Sequence, residues 1–373
     1  MKLRVKRWPR TAKPQQPAVA RPAPPAIVPE PPRPLRAEDV TLPPANDRDA
    51  LTPPLLGFLN RDRAKVRAAP VLALATPLLQ ELVNYGSHVL VTCHGSGGLA
   101  KDEGWAPLRL YYRIIEMTDG IEVALREGCV YPAVPALRSS YEATLHLDFI
   151  LGHPNVHEAS LAWLAGQVKR RILELHRKNP TGKASKPHLG EPWIAALLAE
   201  QIREHTARDK RVLAEPHMRA IAAKVDDDHP DRWFARFGGG NNLWQLSQKL
   251  DERAADPEAS QTYTNGYRFL FSHYSVITHG GDFDRFIRND EPGTITLEPI
   301  RDTRELAQVA HMAAGMMIQS TRLLVRWLRP DLDALLRQWY VTKVQRRWMA
   351  LGEFARARNA QIRERLRKTD PSL

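Results

Sequence analysis

The stretch PLRLYYRIIEMTDGIEVALR, residues 107–126, places its apolar side chains at steps of three and four residues. The side chains in this series are Leu110, Ile114, Met117, Ile121 and Leu125. Their spacing follows the turn of an α-helix and predicts an amphipathic helix over Pro107–Arg126, ended by Gly128. A helix with one apolar stripe has to bury that stripe against other elements, so we expect a helical core around it.

Helical spacing continues on both sides of this segment. The next helix is predicted over Pro135–Leu151, and its apolar face consists of Leu137, Tyr141, Leu145 and Phe149. Further helices are predicted over Ala69–Thr92, about 155–178, 192–213 and 243–254, Thr262–Thr278, Arg304–Leu328 and from Pro330 onward. The strand-like stretch Gly293–Leu297 is too short to build a sheet. These patterns predict an all-α fold: a helical bundle with an extended C-terminal helix.

The chain divides by composition into three predicted parts. Residues 1–54 are rich in proline and in basic residues and have almost no apolar periodicity, which predicts a disordered tail. Residues 55–329 carry most of the helical patterns and form the predicted bundle domain. Residues 330–373 form a predicted basic helical extension, because Lys and Arg outnumber Asp and Glu there.

Charge and cysteine content narrow the expected partners and compartment. The formal net charge of +12 favours nucleic acid or another anionic partner. Cys93 and Cys129 form no CxxC motif, so the sequence predicts no disulfide framework and favours the cytoplasm. The chain shows neither an apolar leader nor a run of about 18 uncharged apolar residues, which predicts no export and no membrane partner. These features do not determine the oligomeric state.

Two of the predicted helices carry a polar stripe beside their apolar face. In the first, Arg138, Glu142 and His146 follow one another at four-residue steps. In the second, the polar residues are Arg268, Ser272, Ser275 and His279. If the two helices pack together, an Arg–Glu pair lies near a serine and a histidine, which suits general acid–base chemistry or phosphate recognition. The alternative is an ion pair and a helix-end histidine that only fix the packing.

Four longer segments extend these motifs. They read RLYYRIIEMTDGIEVALREG, PALRSSYEATLHLDFIL, WFARFGGGNNLWQLSQKLDE and YTNGYRFLFSHYSVITHGG. The second has an Arg-Ser-x-x-Glu pattern at Arg138, Ser139 and Glu142, and the last has Tyr267, Ser275, His279 and Gly280. Over about residues 105–151 and 233–284 the chain thereby resembles an uncharacterised bacterial family called domain of unknown function 5677. The resemblance implies a helical fold and a site at Arg138, Glu142, Ser275 and His279, but no settled activity.

The chain has none of the common cofactor motifs. It contains no Walker loop, no Rossmann glycine fingerprint, no Gly-x-Ser-x-Gly elbow and no HExxH, so no cofactor is predicted. It also lacks the Glu-x-x-His pairs of di-iron bundles. Glu142 and His146 could still join ligands from another helix, such as His279, Asp282 and Asp284, which leaves a divalent metal open.

Three functions stay open from the residues alone, and whether the chain is an enzyme stays undecided. The first is a nucleic-acid-binding or ribonuclease-like, defence-type protein, for which the basic residues should form one face leading to Glu142 and His279. The second is a non-enzymatic interaction or regulatory protein in which the polar site is structural. The third is a metal-dependent hydrolase, which needs acidic or histidine ligands to converge on one ion.

Overall fold

A computed structural model describes residues 55–95, 105–178, 192–253, 262–274, 287–291, 294–297 and 299–369. The predicted tail, residues 1–54, lies outside the described residues. Almost all of the described chain is helical, which confirms the all-α fold.

The helices are numbered here in chain order. They are α1 (Leu56–Leu59), α2 (Arg61–Gly95), α3 (Trp105–Arg126), α4 (Val130–Leu151), α5 (Val156–Lys178), α6 (Pro192–Ala214), α7 (Pro216–Ala222), α8 (Leu243–Arg253), α9 (Thr262–Arg268), α10 (Leu306–Leu328), α11 (Asp333–Trp339) and α12 (Gln345–Thr369). Short 3-10 helices span Pro230–Phe237 and Pro330–Leu332, and π-helical turns span Phe269–His273 and Tyr340–Val344. Strands β1 (Ile287–Glu291) and β2 (Thr294–Leu297) pair antiparallel, with Ile287 opposite Leu297.

The observed helices extend through prolines at which a boundary was expected. Helix α2 begins at Arg61 and contains Pro70 and Pro77, whereas the sequence predicted a start at Ala69. Proline removes one backbone donor, but it does not end a helix whose flanking turns are held by packing. The strand-like stretch at 293–297 contributes β2 to a two-stranded hairpin and to no larger sheet within the described chain.

The core forms where α2, α3, α4 and α10 meet. The predicted apolar face of α4 is confirmed, because Leu137, Tyr141, Leu145 and Phe149 are each no more than 4 % exposed. Polar side chains also join these helices inside the core. The Tyr111 and Thr321 hydroxyls lie 2.8 Å apart and link α3 to α10. Such buried polar groups are stable only when paired, so these contacts fix how the helices align.

The C-terminal helices pack against this core and do not stand free of it. The ring of Trp339 in α11 stacks on Tyr85 in α2 at 3.8 Å between centroids. In α12, Trp348 stacks on His311 of α10 at 5.0 Å. Its Nε1 donates to the His311 carbonyl oxygen, and His311 Nδ1 lies 3.2 Å from the Trp348 carbonyl oxygen. The extended C-terminal helix is thus confirmed, while the division between residues 55–329 and 330–373 stays a prediction.

Helix α2 is long and apolar enough to cross a membrane by length and composition alone. A single helix of this kind is weak ground for a membrane span, because core helices of soluble proteins pass the same test. Leu78, Leu79 and Leu82 of α2 are almost completely buried against neighbouring helices. The absence of a membrane partner stays a prediction.

Candidate functional site

Arg138 and Glu142 form an ion pair one turn apart on α4. Their Nε and Oε1 atoms are 3.7 Å apart, and the side chains are 23 % and 39 % exposed. The guanidinium carbon of Arg138 also lies 4.0 Å from the centre of the Phe271 ring. Phe271 belongs to the π-helical turn that follows α9. An arginine held between a carboxylate and an aromatic face has few free rotamers, and its remaining N–H groups can point to an anion.

The surroundings of Glu142 favour its protonated form more than open solvent would. Burial raises the pKa of this carboxyl group above its ordinary value, and Arg138 and Arg170 only partly offset the rise. Asp231, whose negative charge is nearby, adds to the increase. The exposed part of the side chain limits the effect, because water screens the charge there. Glu142 can therefore exchange a proton closer to neutral pH than an ordinary glutamate.

His146 lies one further turn along α4 and belongs to an aromatic cluster. Its ring centre is 5.5 Å from that of Trp233 and 5.7 Å from that of Phe234. Burial lowers the pKa of His146 to about 4, and the charge of Asp231 opposes this only weakly. Its Nε2 finds no hydrogen-bond partner within the described parts of the chain. The third member of the predicted stripe is therefore a neutral packing residue at pH 7.

The helix that leads toward the predicted serine and histidine packs on α4. Phe271 covers Arg138, and the Tyr141 hydroxyl donates to the carbonyl oxygen of Tyr263 in α9. Ser275 and His279 lie outside the described residues. The convergence of Arg138, Glu142, Ser275 and His279 on one site thus stays a prediction, with its first two members in contact.

A buried polar network beside this site was not predicted from the sequence. Asp251 of α8 accepts hydrogen bonds from the backbone N–H groups of Tyr263 (2.9 Å) and Thr264 (2.8 Å), so its carboxylate caps the start of α9. The Tyr263 hydroxyl donates to Asp148 of α4, which also accepts from Arg253 at 3.1 Å. The partners stand 12, 115 and 105 positions apart in the chain, so no local pattern could have revealed them.

A second polar region, here called the basic surface, consists of nine cations on the end of α10, on α11 and α12 and in the turns that join them, and the cations of α12 lie on more than one side of that helix. Its cations are Arg322, Arg326, Arg329, Arg337, Lys343, Arg346, Arg347, Arg356 and Arg358. Three carboxylates lie between Arg322 and Arg358 in the chain. Asp331 pairs with Arg329 at 2.7 Å, Asp333 pairs with both Arg326 and Arg337, and Glu353 makes no ion pair with a described residue. Six of the nine cations make no ion pair with any described residue.

The basic surface and the Arg138–Glu142 pair lie on different sides of α4. Helix α10 packs on the side that carries Thr144, whose hydroxyl is 3.3 Å from that of Ser320. Glu142 is two residues from Thr144 and is therefore about 160° away around the helix. The cations of the basic surface thus lie on a different side of α4 from Glu142.

Metal ligands do not cluster in the part of the chain that the structure covers: no group of three His, Cys, Asp or Glu side chains there could hold an ion. The predicted contributors His279, Asp282 and Asp284 lie outside that part. A surface cavity of about 300 Å³ is lined by Asp226, Arg232, Ala235, Arg236 and Asn241, none of which was predicted as a site residue.

The fold and these sites define a helical protein with a partly buried acid–arginine pair and a separate basic surface. A family model described as a family of unknown function, DUF5677, matches residues 104–294. The match covers just over half of the chain, which therefore belongs to this family. No curated protein and no solved structure matches the chain. The matched segment contains Arg138 and Glu142 but ends before α10, so the basic surface lies outside it.

Proposed function

We propose that this protein binds nucleic acid through its basic surface. The observation that carries the proposal is the excess of cations there, six of which form no ion pair with a described residue. A cation already paired within the protein loses that pairing when it binds a phosphate, whereas an unpaired exposed cation does not. Phosphate contacts also release the counterions of the nucleic acid, and this release supplies most of non-specific binding.

The surroundings of Arg322 add to this argument. Burial of part of the side chain and the nearby charges of Arg326 and Arg337 lower the pKa of Arg322. Three guanidinium groups therefore stand close enough to repel one another, with Asp333 as the nearby carboxylate. A bound phosphate would relieve this repulsion.

The test compares two variants of the full chain that lose the same amount of charge. The first removes unpaired cations of the basic surface and carries Arg322→Gln, Lys343→Gln, Arg346→Gln and Arg356→Gln. The matched control removes exposed cations elsewhere and carries Arg61→Gln, Arg109→Gln, Lys210→Gln and Arg211→Gln. Fluorescence anisotropy with labelled 20-nucleotide single strands and the corresponding duplex, at several salt concentrations, gives affinity and its salt dependence.

Wild type and control should bind with a steep loss of affinity as salt rises. Each phosphate contact on a single strand contributes roughly 0.7 to the slope of log K against log salt, so the first variant should have a slope shallower by up to about three. Equal binding by the two variants would show that another part of the chain holds the nucleic acid. If the protein binds phosphatidylserine vesicles and neither oligonucleotide, its partner is an anionic membrane surface and the nucleic-acid proposal is wrong.

A second candidate function is ribonuclease-like chemistry at Arg138, Glu142, Ser275 and His279. It is favoured by the raised pKa of Glu142 beside a partly exposed guanidinium. In this proposal Arg138 binds the phosphate, while Glu142 and His279 transfer protons to and from the ribose and the leaving group. The opposing hypothesis is a non-enzymatic protein in which the same residues only hold α4 and the turn after α9 together.

Cleavage of labelled RNA separates these alternatives. Glu142→Gln and His279→Ala should each abolish cleavage and leave the melting temperature nearly unchanged, whereas Glu116→Gln, an exposed partner of Arg113 on α3, should cleave like wild type. A parallel reaction with EDTA reports whether a divalent metal takes part. If wild type does not cleave RNA, or Glu142→Gln cleaves as fast, the pair is structural.

A further inference from the structure

Helix α12 presents an exposed aromatic ring between cations of the basic surface. Phe354 is 42 % exposed, although an apolar ring of this size gains free energy when it is buried. Arg347, Phe354 and Arg358 fall within about 40° of one another around the helix, at 100° per residue. Arg347 donates from a guanidinium N–H group to the carbonyl oxygen of Lys343 at 3.0 Å. The Arg347 side chain therefore extends toward Lys343, which is itself an exposed cation.

The adjoining side of α12 packs against the bundle, so this ring stands on a rigid support. Leu351 and Ala355, on either side of Phe354 in the chain, are 0 % and 6 % exposed. One turn earlier, Trp348 makes the paired hydrogen bonds and ring stack with His311 described above. A ring held in this way loses little conformational entropy when a ligand stacks on it.

Resting on the proposed function, we infer that the basic surface takes single-stranded nucleic acid, with a base stacked on Phe354. The bases of a duplex already stack on one another and offer no free face, whereas a single strand exposes the faces of its bases. Proteins that bind single strands without sequence preference combine a cationic track with aromatic rings, because every base has a π face. Lys343, Arg347 and Arg358 supply the track on both sides of Phe354.

The experiment measures binding of the full chain to three probes that carry similar charge. They are a labelled 20-nucleotide oligo(dT), an abasic strand of the same length and a 10-base-pair duplex, whose two strands together carry about as many phosphates. The variants are Phe354→Ala, the conservative Phe354→Trp, and Met349→Ala, which truncates a 53 % exposed apolar side chain elsewhere on α12. Wild type should bind oligo(dT) at least about five-fold more tightly than the abasic strand, the lower end of what one stacked base contributes.

Phe354→Ala should lose this preference and bind both strands as wild type binds the abasic one. Phe354→Trp should retain the preference, and Met349→Ala should behave like wild type. If Phe354→Ala keeps the preference, or the duplex binds more tightly than oligo(dT), the stacking inference is wrong while the basic surface can still bind. If the four-cation variant binds every probe as wild type does, the proposed function itself fails.

Discussion

The polar side chains of α4 and the basic surface differ in whether their charges have partners. On α4, Arg138 is held by Glu142 and Phe271, and Asp148 is held by Arg253 and Tyr263. On the basic surface, Arg322, Lys343, Arg346 and Arg356 are exposed and make no ion pair with a described residue. A buried charge without a partner costs several kcal/mol, whereas an exposed one costs little. A buried charge therefore needs its partner, whereas unpaired exposed charges are available to a ligand.

The family match separates the same two regions of the chain. Residues 104–294 include the paired charges of α4 and α8, and the basic surface follows after residue 294. Substitutions in the first region should therefore change stability, and substitutions in the second should change binding. Four predictions test this contrast, in order of decreasing effect.

The largest effect is expected in the centre of α4. Leu145 is fully buried, so Leu145→Ala should lower the free energy of unfolding by about 2–5 kcal/mol, through lost apolar contact and the cavity left behind. Leu335→Ala makes the same change on α11 at a side chain that is 57 % exposed, and should cost less than about 0.5 kcal/mol. Urea unfolding of both variants gives the comparison. Equal losses would contradict the assignment of the core face.

The next effect concerns a buried carboxylate and an exposed one. Asp251→Ala removes the acceptor of two backbone N–H groups at the start of α9, and should cost about 1–3 kcal/mol because these donors stay buried. Asp331→Ala breaks an ion pair on the basic surface whose carboxylate is 59 % exposed, and should cost at most about 1 kcal/mol. Thermal unfolding monitored by circular dichroism measures both. A larger loss for Asp331→Ala would reverse the contrast drawn between the two regions.

A pH-dependent effect is expected at His146. Burial lowers the pKa of His146 to about 4, below its ordinary value of 6.5, so the unfolded chain binds a proton at a pH where the folded protein does not. The contribution of this neutral imidazole is fully present above pH 6.5 and is lost as the pH falls toward 4. Between pH 7.5 and 5, the free energy of unfolding of wild type should fall by about 1–2 kcal/mol more than that of His146→Leu. This range allows for the partial exposure of the imidazole, which reduces the free energy that corresponds to the pKa shift. Parallel losses in urea titrations would argue against a neutral buried imidazole.

The smallest change in stability is expected on the basic surface. Arg346→Gln alters an exposed cation without an ion pair among the described residues, and should shift the free energy of unfolding by less than about 0.5 kcal/mol. The same substitution should weaken binding to oligo(dT) and lower the salt slope by up to roughly one phosphate contact. A clear loss of stability without a change in binding would mean that Arg346 belongs to the packed structure.

The sequence by itself determined the elements whose residues are close together in the chain. The apolar steps from Leu110 to Leu125 and from Leu137 to Phe149 predicted α3 and α4 and their buried faces, except that Met117 is only partly buried. The four-residue step between Arg138 and Glu142 predicted their ion pair. Helical periodicity and side-chain spacing within one helix are local properties, so they can be read without knowing how the helices pack.

Only the tertiary structure decided which of these elements meet and what each charge contacts. It placed Phe271 over Arg138, and it supplied the Asp251 cap of α9 from a different helix. It also decided that α10 covers the side of α4 opposite Glu142, so the basic surface and the ion pair are separate. These outcomes depend on buried contacts between distant residues, and the free energy of such contacts exceeds the local preferences that sequence patterns report.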